Sequence, residues 1–472
     1  MNMSKISYRS RALVLFCLLL APLASAQQLR LRAIALALRQ QSGVIVIQGA
    51  TLINGTGSPV IRNSAIVIDG GRIVDVGPRN DVRVPKNAQT IDARGKWVIP
   101  GLIDAHVHFS QSGDIYTRPD IVDLRKWRSY EMEMAWIRER LPFTLERYLA
   151  SGVTGAVDCG GPMWNFEVRD IASRTKKAPR LAVAGPLIGT YLSPVTSTTD
   201  PDVVKPNSPA QAREFIRQQL EHKPDIIKLL WERQPGDNLN QQIQIMGAAI
   251  DESKSHGVRV AVHATDLETA KAALHAGADI LVHSVTDRLV DTDFINLMTT
   301  RNVPYITTLA VEGGYHMVLA QQVMLTDIEE KLGDPEVIKT WSELAKISAN
   351  EVPGGIPRMP AQPKRPVSYD NLMILESAGA RIVAGTDAGN IGTLHGPALH
   401  HEMELMADAG LRPMEIIVAT TRNAAAVMGK EAEVGTLQKG KFADLVILDA
   451  DPLADIKNTR KIYKVMKNGE FF

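Results

Sequence analysis

Trp97-Val98-Ile99-Pro100-Gly101-Leu102-Ile103-Asp104-Ala105-His106-Val107-His108 is an apolar run that closes on a His-x-His pair. On a β-strand, residues two apart point to the same side. His106 and His108 therefore place two imidazoles together at a strand end, where they can grip one metal ion. Four later residues have the same setting. Lys228, His263, His283 and Asp387 each lie at or near the end of an apolar run of their own.

Outward from this stretch, strand-like runs alternate with amphipathic helical patterns. The runs are 97–109, 155–158, 181–184, 225–230, 258–263, 280–283, 303–307 and 381–387. Eight such βα units are the count of a (β/α)8 barrel, an α/β fold. Strands buried on both faces read as continuous apolar runs, as these do. In such barrels the chemistry sits at the carboxyl ends of the strands, and all six polar residues obey that rule. The span 309–368 is too long for a simple connection, so extra helices reaching over the site are expected there.

The two flanks read differently. Short strands separated by glycine turns occupy 43–96 and recur in 431–472. That spacing suggests a small β-sandwich built from both chain ends, with the barrel, 97–430, inserted between them.

A chain of 472 residues is long enough for these two units. Its formal net charge of +1, with acids and bases interspersed, gives no nucleic-acid footprint. The start carries Lys5, Arg9 and Arg11, then an apolar core from Ala12 to Leu20, then Ala24-Ser25-Ala26. This is the pattern of a secretory signal spanning 1–26. It implies a periplasmic or secreted protein with no membrane segment after cleavage. Residues 27–42 could form a short helix without an assignable role. Cys17 falls within the signal, leaving Cys159, which cannot form an internal disulfide and is expected as a buried small side chain.

The constellation resembles the amidohydrolase superfamily of metal-dependent hydrolases, in the subgroup with imidazolonepropionase-like and prolidase-like enzymes. The matching segments are Pro100–His108, Gly152-Val153-Thr154, Asp225–Lys228, His263-Ala264, His283-Ser284, Gly385–Gly389 and the closing Gly440–Val446. The resemblance implies two divalent metal ions. His106, His108 and Asp387 would hold a first metal, and His263 and His283 a second. Lys228 would bridge them as a carbamate, since an ammonium cannot ligate a cation whereas a neutral amine can take up carbon dioxide and become an anion. Zinc is the first candidate for this mixed nitrogen and oxygen set, with manganese, iron and cobalt also fitting.

The same resemblance implies the reaction. Metal binding acidifies a bridging water, and Asp387 would act as the catalytic base that orients it and carries its proton to the leaving group. The expected substrate is a small amide: a dipeptide, Xaa-Pro or N-acyl amino acid. A lactone, cyclic amide, carbamate or phosphotriester would use the same chemistry, and a non-catalytic barrel kept for assembly is the alternative from another class. Tyr191, Trp231 and His395 are candidate substrate contacts because each follows a barrel strand. Histidines 222, 256, 275 and 316 read as surface or packing residues, and His400 and His401 as structural or exposed. There is no Gly-x-Ser-x-Gly elbow or Walker-type loop. A homo-oligomer is left open.

Overall fold

The computed structural model describes residues 43–358 and 365–472. The expected export signal, Cys17 and the 27–42 helix lie outside the described residues.

The chain opens with six short strands: β1 (Ile45–Gln48), β2 (Thr51–Leu52), β3 (Ser64–Asp69), β4 (Arg72–Pro78), β5 (Gln89–Asp92) and β6 (Trp97–Pro100). It closes with β17 (Leu445–Leu448), β18 (Ile462–Lys467) and β19 (Glu470–Phe471). One sheet runs β4-β3-β1-β5, and a second runs β19-β18-β17-β6-β2. Leu445 faces Pro100 and Leu448 faces Trp97 in the antiparallel β17–β6 pair, so both chain ends meet in one sheet. Ile47, Ile66, Ile68, Val98, Leu445 and Ile447 form the core of this unit. Burying each such side chain contributes about 1.5–3 kcal/mol.

Trp97–Pro100 therefore belongs to the β-unit and not to the first barrel run, where the sequence pattern had placed it. Gly101 makes the break. A Cβ there would lie 2.1 Å from Thr154 Oγ1, so only glycine lets the chain pass that close to its neighbour before the next strand starts.

Each of the apolar runs from Leu102 to Val383 contains a strand. These are β7 (Leu102–Val107), β8 (Val153–Asp158), β9 (Arg180–Val183), β12 (Ile226–Leu230), β13 (Arg259–His263), β14 (Ile280–Val282), β15 (Pro304–Ile306) and β16 (Arg381–Val383). Two short additions, β10 (Leu187–Gly189) and β11 (Val203–Val204), were not expected. The pairing is parallel throughout, as β7-β8-β9 and β11-β10-β12-β13-β14-β15-β16. Hydrogen bonds cross between these two sheets at both edges. Asp225 N–H donates to Val183 O at 3.0 Å, and Ala105 N–H donates to Ala384 O at 3.1 Å. An isolated parallel bridge joins Val107 to Ala388.

Helices follow the strands, among them Tyr130–Ala150, Pro209–Leu220, Leu239–Ser255, Leu267–Ala276 and Thr292–Thr300. Ser129, Ser208, Asn238, Asp266 and Asp291 cap them, each side chain accepting a backbone N–H of the first turn. The long connection does hold extra helices, Leu309–Leu319, Asp327–Leu332 and Pro335–Trp341. Among the described residues, no helix is long and apolar enough to cross a membrane.

Candidate active site

The six candidate ligands gather at the carboxyl ends of the parallel strands. His106 Nε2 lies 3.1 Å from His108 Nε2, and Asp387 Oδ1 lies 3.3 Å from the first and 3.1 Å from the second. Lys228 Nζ is 3.3 Å from His106 Nε2. The His263 and His283 rings meet edge to face with centroids 4.3 Å apart, and His283 is 4.9 Å from the His106 ring. The structure thus brings all six into one cluster, of which His106, His108 and Asp387 form the tightest group able to hold an ion.

Local structure explains how they converge. Gly385 lets the turn after β16 press against β7, since a Cβ there would lie 2.8 Å from His106 Cβ. His283 and Asp387 sit at φ of +70° and +60°. Left-handed backbone costs a non-glycine residue roughly 1–2 kcal/mol. It persists where the surroundings fix it, commonly at functional positions. Buried Asp104 accepts hydrogen bonds from the backbone N–H groups of His106 and Thr386. Asp158 accepts from Phe109 N–H and Gly160 N–H, fixing the neighbouring strand end. Neither aspartate was singled out from the sequence.

The protonation pattern suits metal ligation. His108 Nδ1 donates to Gly160 O at 2.7 Å and His283 Nδ1 pairs with Thr308 Oγ1 at 2.7 Å, so Nε2 is the nitrogen each ring offers to the cluster. Burial, then the charge of Lys228, holds His106 well below the usual imidazole range. Burial, then His283, does the same to His263, and burial takes His283 down to about 3. Burial also lowers the Lys228 ammonium. Burial pushes Asp387 up, but the neighbouring imidazoles outweigh it and hold the carboxyl well below its ordinary value. Asp387 Oδ1 is buried without a hydrogen-bond donor. A cluster of lone pairs at this separation repels itself unless a cation sits among them, so the donor set fits the implied metals.

Above the cluster lies a cavity of about 190 Å³ whose lining includes His108, Lys228, His263, His283 and Asp387. Tyr191 lines it, as expected. Trp231 does not. It is fully buried in the helix-facing core and donates through Nε1 to Gln242 Oε1. The two-residue period of β12 explains the difference: Lys228, Leu230 and Glu232 reach the cavity, whereas Leu229 and Trp231 fall on the opposite face. His395 is also outside the cavity. It stacks on Phe109, and its nitrogens pair with Tyr148 OH and Gln111 O, both at 2.8 Å. Cys159 is buried as expected, and burial pushes its thiol up to about 12.

Among the described residues, none of the insertion from 309 to 358 lines the cavity. It touches the site indirectly, through Tyr315 OH donating to Asn390 Oδ1 at 2.6 Å. The walls come instead from the segment that follows Phe109 and from the β10–β11 connection, which sequence reasoning missed. Arg118 and Glu232 are further wall residues that were not singled out.

The family model described as amidohydrolase family matches residues 97–472. The chain belongs to the amidohydrolase family. This amidohydrolase is a hydrolase acting on carbon–nitrogen bonds, as its similar proteins are. An imidazolonepropionase of Rhizorhabdus wittichii is 26% identical over 85% of this chain and 92% of its own length. An ochratoxinase of Aspergillus niger is 24% identical over 96% of this chain and 91% of its own. In fold, the amidohydrolase is similar to a Xaa-Pro dipeptidase solved with methionine in the active site, with a TM-score of 0.68, 23% identity, and coverage of 91% of this chain and 100% of that one. The A. niger ochratoxinase structure gives a TM-score of 0.68 at 21% identity, covering 91% of this chain and 96% of that one.

Proposed function

We propose that this amidohydrolase is an exported enzyme with a pair of divalent metal ions, zinc first among the candidates. It would cleave the amide bond of a dipeptide, a Xaa-Pro dipeptide or an N-acyl amino acid. The observation that carries this reading is the convergence of four imidazoles, Asp387 and the buried Lys228 at one set of strand ends. A closed (β/α)8 barrel beside a β-sandwich accounts for that convergence, and the hydrogen bonds crossing both sheet edges support it. The basic start, apolar run and Ala24-Ser25-Ala26 support export. The similarity to a Xaa-Pro dipeptidase supports the substrate class.

When bound, the metal pair lowers the pKa of water and polarises a carbonyl. The chain's own groups do the rest. His106, His108 and Asp387 would hold one ion, and His263 and His283 the other. Lys228 would lose a proton from its ammonium, its Nζ would form a bond to carbon dioxide, and a second proton would leave to give a carbamate whose anionic oxygens would complete the ligand set. Asp387 receives the proton of the attacking water at a carboxylate oxygen and delivers it to the departing nitrogen.

Elemental analysis of purified protein, followed by assay of the metal-loaded enzyme on a panel of dipeptides, N-acyl amino acids, lactones, carbamates and phosphotriesters, tests this. About two metal ions per chain with amide hydrolysis are expected. Metal-free protein that gains no hydrolysis on reconstitution overturns the reading. Turnover confined to a non-amide panel member replaces the substrate class.

A further inference from the structure

Outside the ligand cluster, four charged side chains line the cavity: Arg118, Asp120, Asp202 and Glu232. Arg118 is already engaged. Its Nε donates to Asp120 Oδ1 at 2.8 Å and its Nη2 to Asp120 Oδ2 at 2.6 Å. Its Nη1 donates to Tyr315 OH at 3.0 Å and to Asn390 Oδ1. This bidentate geometry uses both edges of the guanidinium. Asp120 thus takes the direct pairing with Arg118, and Asp202 and Glu232 feel its charge only at a distance.

Among the described residues, no lysine or arginine forms an ion pair with Asp202 or Glu232. The nearest ionisable partner of Glu232 is His263 Nε2 at 3.5 Å. Both carboxylates are partly exposed in the cavity, where a carboxylate without a direct partner favours a cation beside it. The metal centre can account for Glu232, which neighbours a ligand. It does not account for Asp202, which lies on the connection between β10 and β11, where no ligand resides.

Taking the amide-hydrolase reading as its basis, we propose that the cavity selects substrates with a free ammonium group beside the scissile amide. Asp202 and Glu232 receive that group. A dipeptide carries it and an N-acyl amino acid does not, so the proposal chooses between the two amide classes.

The test compares alanyl-proline and alanyl-leucine with propionyl-proline and propionyl-leucine, in which hydrogen replaces the ammonium. The metal-loaded enzyme should favour the alanyl member by about 10–100-fold in kcat/KM, the range of a charge-assisted contact. Asp202→Asn and Glu232→Gln should each erode that preference about tenfold, read as the ratio of alanyl to propionyl kcat/KM within each variant. Binding to metal-loaded Asp387→Asn protein, measured by calorimetry, should show the same preference without turnover. Equal handling of each pair by the wild type, or a preference that survives in both variants, overturns the proposal while leaving amide hydrolysis intact. Should Glu232→Gln lose metal, Asp202→Asn decides. Failure to cleave any of the four, with turnover of another electrophile, removes the underlying reading and this one together.

Discussion

Asp104 holds Thr386 twice, accepting its backbone N–H at 3.0 Å and its hydroxyl at 2.7 Å. Asp104 lies two residues before His106, and Thr386 is the residue before Asp387. The clasp therefore joins the strand end that carries two ligands to the turn that carries a third. Burial raises the Asp104 carboxyl to about 7, against the pull of these hydrogen bonds, so the contact does not require a full charge.

Asp104→Ala should accordingly lower stability by about 1–3 kcal/mol, the cost of stranding buried donors, and weaken metal retention. Asp104→Asn keeps an acceptor for the backbone groups and should stay within about 1 kcal/mol of wild type. Denaturant unfolding and elemental analysis of both variants check this.

Asp387→Asn should retain most of its metal yet lose about 10²–10⁴ in kcat, the span of a positioned proton carrier. Near-normal turnover by the metal-loaded variant would take the proton-carrying role away from Asp387.

Lys228→Ala should reduce metal occupancy, with partial recovery in the presence of formate or propionate. A small carboxylate can take the place left by the anion, whereas an ammonium-like partner such as methylamine should not. Metal content equal to wild type would count against a bridging carbamate.

His400 offers a pH test remote from the ligands. Its ring lies 2.9 Å from both Thr459 Oγ1 and Ser151 O. Burial, against the hydrogen bond to Ser151, takes its pKa down to about 4 from the ordinary imidazole value of 6.5. Between those values the unfolded chain binds the extra proton and the folded chain does not. The stability tied to neutral His400 is then fully present above pH 6.5 and declines as pH falls towards about 4, by at most about 3 kcal/mol. The stability gap between wild type and His400→Gln should narrow over that window in paired denaturant titrations. A gap independent of pH would show that His400 does not carry this linkage.

The strands and ligands were legible because one physical pattern encodes both. A strand buried on both faces must be apolar, so a histidine, lysine or aspartate at its end stands out. What escaped is encoded less locally. Asp104 sits inside its strand, and its partner is 282 positions away. Trp231 was misplaced because its position after a strand was weighed without strand parity. The same parity would have pointed to Glu232, four residues beyond Lys228 and on its side. His395 lies on the right loop, but only the fold shows that Phe109, Tyr148 and Gln111 already occupy its ring. Gly101, which sends Trp97–Pro100 to the other unit, reads as an ordinary glycine until Thr154 is packed against it.

The wall between β10 and β11 has a consequence of its own. Tyr191, Ser193, Val195, Thr196, Ser197 and Asp202 all come from one short surface excursion, while the ligands stand at the ends of the strands and in the turns that follow them. One of the two proposed ammonium partners, Asp202, travels with this excursion, and the other, Glu232, stays beside the ligands. Exchanging the excursion would therefore recast one wall of the cavity and leave the ligand cluster in place.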